Sequence, residues 1–268
     1  EITITAEDID NGSNDACGIG SLSIDNSSFD CSNIGQQTVE LTVTDVTGNE
    51  STCTGMIIVV DVSAPIVMCQ DITVQLDALG TVTIDASNVI IADDACGIVS
   101  TSIDVNTFTC ADVGVQTVTA TAEDLSGLTS TCTAQVTVED KVSPVALCAD
   151  MTVQLDANGI ATIEAADLDF NGMSNDACGI ASMSINITSF DCTDVDQVVY
   201  VDLTVTDVNG NSSVCTSEVT VEDNIAPTAV CLSGVTVTQD ATGMSTVEVS
   251  DIDGGSSDNC GFSMSVNP

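Results

Sequence analysis

The stretch Gln37–Asp45, QTVELTVTD, alternates without a break: Val39, Leu41 and Val43 fall on one side, Thr38, Glu40, Thr42 and Thr44 on the other. A period of two with one apolar side marks a strand that covers a core with one face and meets water with the other. The pattern returns at Val118, Ala120 and Ala122, and again at Val201, Leu203 and Val205. After it comes a turn, TDVTGN at Thr44–Asn49 or TDVNGN at Thr206–Asn211, with aspartate at the entry and glycine near the exit, as a hairpin requires. The second copy departs, with Leu128 in the place of the asparagine. The next strand reads CTAQVTVED at Cys132–Asp140 and CTSEVTVED at Cys215–Asp223. An earlier hairpin, TVQLDALGTVTID or TVQLDANGIATIE, turns around Gly80 and Gly159. About seven short strands in each stretch of roughly 80 residues predict an all-β chain of tandem antiparallel immunoglobulin-like β-sandwich domains, disulfide-stapled and arranged end to end.

The cysteines give the repeat its length. DACGI occurs at Asp15–Ile19, Asp94–Ile98 and Asp176–Ile180, and DNCGF follows at Asp258–Phe262. Cys17, Cys96, Cys178 and Cys260 are spaced by 79, 82 and 82 residues, and the other cysteines keep nearly the same beat. The period defines two complete repeats, 62–140 and 141–223, flanked by partial ones at 1–61, without a first strand, and 224–268, with only the N-terminal part. Four cysteines in a repeat allow three connectivities. Pairing first with fourth gives Cys69–Cys132 and Cys148–Cys215. Pairing second with third, always 14 residues apart, gives Cys17–Cys31, Cys96–Cys110 and Cys178–Cys192. Cys53, Cys231 and Cys260 are left to truncated repeats or to bonds between subunits. Regular repetition argues against a reactive thiol, and the absence of CxxC spacing and of histidine argues against zinc. Disulfides point to an oxidising compartment, outside the cell or on its surface. Phe29, Phe108 and Phe190, each two residues before a third cysteine, are expected in the core.

Composition narrows function. The chain of 268 residues holds 41 acids, one base (Lys141) and no histidine. Such a surface repels nucleic acid and anionic membranes and attracts divalent cations. Without His or Arg the usual general base and oxyanion clamp are missing, and with no Trp and one Tyr there are few sugar platforms, so no enzyme is expected. No apolar run approaches the length of a membrane span. The first residues do not read as a signal peptide, and the sequence is taken as a mature product or a window of a longer array.

The linkers run acid, proline, cysteine: VVDVSAPIVMC, VEDKVSPVALC and VEDNIAPTAVC. Together with TDVTGNESTC late in the repeat they resemble the HYR (hyalin repeat) module, and in particular the repeats of large surface adhesins and gliding proteins of Bacteroidota. The resemblance covers essentially the whole chain. It implies an extracellular, immunoglobulin-like, adhesive or structural array without enzymatic activity. Hyalin repeats are not defined by the DACG cysteine pair.

Two sets of acids are candidate calcium ligands. The first precedes DACG: Asp167, Asp169, Asn171 and Asp176 in DLDFNGMSNDACG, Asp8, Asp10 and Asp15 in the first repeat, Asp251, Asp253 and Asp258 in the last, and Asp94 in the second. Alternating oxygen ligands followed by glycine suit a calcium loop, although no flanking helices make it an EF-hand. The alternative is an Asp- and Asn-rich turn whose carboxylates cap backbone N–H groups. The second set lies in the linkers, Asp61, Asp140 and Asp223. Asp61 is expected near Asp94 and Asp124, and Asp140 near Asp176 and Asp207, where a cation would relieve the repulsion and stiffen the linker. Sequons at Asn11, Asn26, Asn49, Asn186 and Asn211 are candidate glycosylation sites.

The function expected is structural: a rod or filament built by self-association, head to tail, of calcium-binding sandwiches. The C-terminal segment of one subunit would complete the first repeat of the next by strand addition, with a Cys231–Cys53 link. In a longer continuous array the missing strand would come from the same chain instead, and residues 250–268 are surplus to the strand-addition scheme. The alternative function is the stalk or ligand-binding region of a bacterial cell-surface adhesin, with a surface or carbohydrate ligand.

Overall fold

The computed structural model describes residues 1–267, and strands make up nearly all of its regular structure. The chain divides into two compact units, Glu1–Gln75 with Thr81–Glu139, and Leu76–Gly80 with Asp140 onward.

In the first unit, Gly35–Asp45 pairs antiparallel with Glu50–Val59 on one edge and with Ile19–Ile24 on the other. The same arrangement recurs as Gly114–Asp124 between Thr129–Glu139 and Ile98–Ile103. A fourth strand, Ile72–Gln75, joins this second sheet beside Thr129–Glu139, with Ile72 opposite Val136 and Val74 opposite Val138. Val118, Ala120, Ala122, Ala134, Val136 and Val138 are all at most 1% exposed, as a period of two demands of a face turned to a core. The opposing layer is made of short pairs, Ile66–Cys69 with Ile90–Asp93 and Thr81–Thr83 with Thr107–Thr109. Phe29 and Phe108 are buried as expected.

The second unit holds the sheet Met151–Gln154, Ser212–Glu222, Val198–Asp207, Ile180–Ile185, in that order. Val153, Leu155, Ala161, Leu168, Phe190, Val201, Val219 and Val221 form its core. Beyond Asp223 the described residues make isolated bridges, Thr228 to Ser257 and Cys231 to Asp253, and one helical turn at Val249–Ile252.

The all-β expectation therefore holds, with two refinements. The opening strand of each four-stranded sheet pairs parallel with the closing one. Parallel partners need a long connection, and nearly the whole repeat supplies it. The sequence also carries single helical turns, Ala6–Ile9, Ala86–Val89, Ala165–Leu168 and Val249–Ile252, too short to show a 3.6-residue period.

The disulfides correct the expected pairing. Cys69 is joined to Cys132 and Cys148 to Cys215. Cys17–Cys31, Cys96–Cys110 and Cys178–Cys192 do not form. Cys31 bonds Cys96 instead, and Cys192 bonds Cys260, which was expected to be left over. Cys110 and Cys178 are also disulfide-bonded, while Cys17, Cys53 and Cys231 are free and exposed. Geometry explains the change. Between Cys17 and Cys31 the strand Ile19–Ile24 carries the chain about 20 Å along the sheet at roughly 3.3 Å per residue. The chain does not fold back on it, because Ser28–Phe29 pairs with Ile2–Thr3 instead. A disulfide needs Cα atoms within about 7 Å. The DACG turn of the following repeat meets that need, with Cα atoms 5.1 Å apart in both Cys31–Cys96 and Cys192–Cys260.

Candidate metal centre at the linker acids

Three kinds of aspartate build their own turns with one carboxylate oxygen. In the DACG turns, Oδ1 of Asp15, Asp94 and Asp176 accepts from the cysteine N–H two residues on at 2.7 Å, and Asp258 does so at 3.0 Å. In the linkers, Asp61, Asp140 and Asp223 accept from Ser63, Val142 and Ile225 N–H at 3.0, 3.0 and 3.1 Å. In the hairpins, Asp124 accepts from Ser126 and Leu128 N–H, and Asp207 from Asn209 and Asn211 N–H, at 2.8–2.9 Å. These are Asx turns, the reason aspartate is favoured there. In each the turn's backbone N–H groups are met by Oδ1.

Those turns converge within each unit. Ligand atoms of Asp61, Asp94 and Cys96 lie within 4.8 Å of one another, as do those of Asp140, Asp176 and Cys178. Both cysteines are oxidised, so the carboxylates are what remains for a hard cation. The Asp124 hairpin closes over the first group: Leu125 N–H donates to Gly97 O at 3.3 Å and Ser126 Oγ to Asp61 Oδ2 at 3.4 Å. The Asp207 hairpin does the same in the second, with Val208 N–H on Gly179 O at 3.1 Å and Asn209 Nδ2 on Asp140 Oδ2 at 2.7 Å. At the third linker, Asn259 Nδ2 reaches Asp223 Oδ1 at 3.0 Å.

The groups differ in how their charge is met. Asn211 Nδ2 donates to Asp207 Oδ2 at 2.8 Å and to Asp140 O at 3.2 Å. In the first group Leu128 stands at that position and donates nothing from its side chain. Asp124 is 1% exposed, and its Oδ2 has no partner. Asp258 Oδ2 and Asn259 Oδ1 are buried without partners as well. An unsatisfied buried acceptor costs about 1–3 kcal/mol, more when charged. With one base for 41 acids, side chains cannot supply the missing positive charge. An oxygen-only donor set with an orphaned buried carboxylate fits a hard divalent ion.

The acids upstream of DACG are engaged differently. Oδ2 of Asp8, Asp167 and Asp251 accepts from the N-cap N–H of its own helical turn, at Thr5, Glu164 and Glu248, at 2.7–2.9 Å. Asp10, Asp169 and Asp253 accept from Ser13, Ser174 and Ser256 N–H at 2.9–3.0 Å. Asn171 is exposed at φ 54°. Thr5 N–H and hydroxyl hold Asp8 below the usual carboxylate range, Ser13 does the same for Asp10, and Ser256 for Asp253. None of these residues belongs to either group of three candidate ligands found among the described residues. The sequence signal for the caps was an acid or threonine three residues before Asp or Asn.

Of the sequons, Asn11, Asn26, Asn49 and Asn186 are exposed, and Asn211 is half-buried with its Nδ2 engaged between Asp140 and Asp207.

No family model matches the chain, and no curated protein matches it. Solved structures similar to it include PcdhgB3 EC1-4 (13% identity, 80% of this chain and 66% of that one, TM-score 0.33). The protocadherin GammaB4 extracellular domain is similar at 16% identity over 81% of this chain and 42% of that one, TM-score 0.31. The titin fragment I67-I69 is similar at 10% identity over 70% and 75%, TM-score 0.34. The chain spans less than two thirds of the length of either protocadherin structure. TM-scores this low carry nothing about activity, ligands or partners.

Proposed function

We propose that this chain is a non-enzymatic, extracellular structural protein of tandem repeats that self-associates into a rod or filament, with calcium bound at the linker acids. The observation that carries the cation reading is the buried, partnerless Oδ2 of Asp124, in the hairpin whose Ser126 Oγ donates to Asp61 Oδ2. Asp61 and Asp94 would hold the ion together with Asp124 in the first group. Asp140, Asp176 and Asp207 would do so in the second, and Asp223 and Asp258 at the third linker. A bound cation would neutralise carboxylates that otherwise repel, and so fix the linker against the DACG turn. Four disulfides joining residues 63–68 apart in sequence support the extracellular setting. Among the described residues no helix is long and apolar enough to cross a membrane.

Calorimetric titration of the purified chain with calcium, paired with thermal melts in calcium and in chelator, tests the cation. Free calcium at about 100 times the dissociation constant adds about 2.7 kcal/mol per site, so the melting temperature should rise. Sodium chloride at matched ionic strength should not reproduce the rise. Identical melts in calcium and chelator, with no heat of binding, remove the cation from the proposal.

A further inference from the structure

The disulfides of each unit cross. In the first unit Cys31 bonds Cys96 and Cys69 bonds Cys132, so each loop holds one cysteine of the other. In the second, Cys148–Cys215 and Cys192–Cys260 interleave in the same order. One bond of each pair ties two strands of a single repeat, as Cys69 in Ile66–Cys69 is tied to Cys132 in Thr129–Glu139. The other ties the third cysteine of one repeat to the DACG turn of the next.

Crossing changes how many backbone routes hold the chain together. In the first unit Cys31–Cys96 is one covalent node and Cys69–Cys132 a second. Three backbone segments run between the nodes: 31–69, 69–96 and 96–132. Severing one leaves two routes, and severing two leaves one. Nested bonds, with Cys96 joined to Cys110 inside Cys69–Cys132, would make 31–69 the single route, and one cut there would part the chain. In the second unit the three segments are 148–192, 192–215 and 215–260. Cys110 and Cys178 are also disulfide-bonded, and any further bond can only add routes. Exposed turns, where proteases nick most readily, fall inside these spans: Val46, Val105 and Val208 are 60%, 42% and 58% exposed.

We infer that the crossed disulfides make each unit a cut-tolerant tether of limited length. A single break of the backbone between Cys31 and Cys132, or between Cys148 and Cys260, leaves one covalent molecule. Tension cannot draw either span out beyond the shortest of its three segments. In the first unit that segment is 69–96, about 95 Å when fully extended, against about 350 Å for 31–132 without the bonds. The cysteines thus secure the continuity of the chain as well as the stability of its fold. This goes beyond the structural role proposed above and needs neither self-association nor a cation.

The test exploits composition. Lys141 is the one basic residue, so trypsin has one site in the chain. In a Lys141→Gln background, Val46→Lys, Ser87→Lys and Val105→Lys each create one site, in a different segment of the first unit and at an exposed position. Free thiols are alkylated first, and digestion is run in moderate urea without reductant. Each single variant should keep the mass of the intact chain plus one water, and fall into two fragments on reduction. The double variants should also stay whole. The triple variant should separate without reductant into two covalent pieces, 1–46 with 88–105 and 47–87 with 106–268. Release of residues 1–46 from Val46→Lys without reductant, or a triple variant that stays whole, overturns the inference. Stretching the parent chain by its two ends gives a reading that needs no variant. Reduction should add at least about 250 Å to the final extension from the first unit alone. Equal final extensions with and without reductant overturn the inference as well. Neither arm depends on calcium or on chain concentration, so loss of the cation or of self-association would leave these results unmoved.

Discussion

The Asp124→Asn variant separates a cation ligand from a turn cap. Asn at this position keeps an oxygen for Ser126 and Leu128 N–H, which Asp124 Oδ1 accepts at 2.8 and 2.9 Å, so the hairpin survives and only the charge is lost. In chelator, the parent buries a carboxylate oxygen that has no partner, at a cost of about 1–3 kcal/mol. Removing that charge should make the variant more stable than the parent by a similar amount. In calcium at about 100 times the dissociation constant the parent gains about 2.7 kcal/mol at this site, and the variant loses most of it. The order of stability should therefore reverse between the two buffers. Urea denaturation followed by circular dichroism, in chelator and in calcium, reads both midpoints. Leu128→Asn is a second arm. It restores the amide that Asn211 offers Asp207 at 2.8 Å, and should stabilise the calcium-free form while keeping the ligand. Asp167→Asn is the control. Its carboxylate caps Ala165–Leu168, so it should cost about 1 kcal/mol equally in both buffers. If Asp124→Asn shifts both midpoints alike, Asp124 is a cap and the cation assignment fails.

Two further outcomes are accessible. Replacing Cys31 and Cys96 together by serine opens a loop with a sequence separation of 65 and should cost about 4 kcal/mol, read by urea denaturation of the oxidised proteins. Recovery of a Cys17–Cys31 peptide from the parent digest would contradict the pairing itself. Asp45 is held well below its ordinary value of 3.8, first by the Asn49 side chain, then by Asn49 N–H and Thr47. A depressed carboxylate adds stability above its unfolded value and loses it as pH falls through the folded one. Stability should therefore decline below about pH 4, and Asp45→Ala should flatten that decline, with equal pH slopes in parent and variant as the contrary result.

The strands and their facing were legible because a period of two is a local property. Val118, Ala120 and Ala122 alternate in sequence and are buried together in space. The linker groups were legible for a related reason: a tandem array repeats its junctions, so Asp61 with Asp94, and Asp140 with Asp176, could be paired by position. The second-with-third disulfide was not legible. Fourteen residues look short along the sequence, but loop length says nothing of direction, and a strand such as Ile19–Ile24 spends those residues on travel rather than return. The Asp167–Asn171 motif is ambiguous by composition. Alternating Asp and Asn suit a calcium loop, but equally an N-terminal cap followed by an Asx turn, and the N-cap Glu164 three residues earlier favours the cap. The loss of Leu128 as a donor was visible in the sequence. Its consequence at Asp124 needed the burial.

The DACG turn shows why one short motif recurs in each repeat. The aspartate fixes the turn by accepting the cysteine N–H, and that bond sets two side chains at once. The cysteine sulfur is carried to the third cysteine of the preceding repeat, seen in Cys31–Cys96 and Cys192–Cys260. In the second and third repeats the aspartate's carboxylate is carried to the acid of the incoming linker. A disulfide cysteine and a carboxylate of the linker group thus sit two residues apart in one turn. Substituting the aspartate would loosen both, and substituting the cysteine would leave the acids to hold the linker alone. At Asp15 neither partner is present: Cys17 is exposed and free, and no linker acid stands beside the turn among the described residues. The turn still forms there, with Cys17 N–H on Asp15 Oδ1 at 2.7 Å. The turn is therefore set by the aspartate's own hydrogen bond and needs neither the disulfide nor a linker acid.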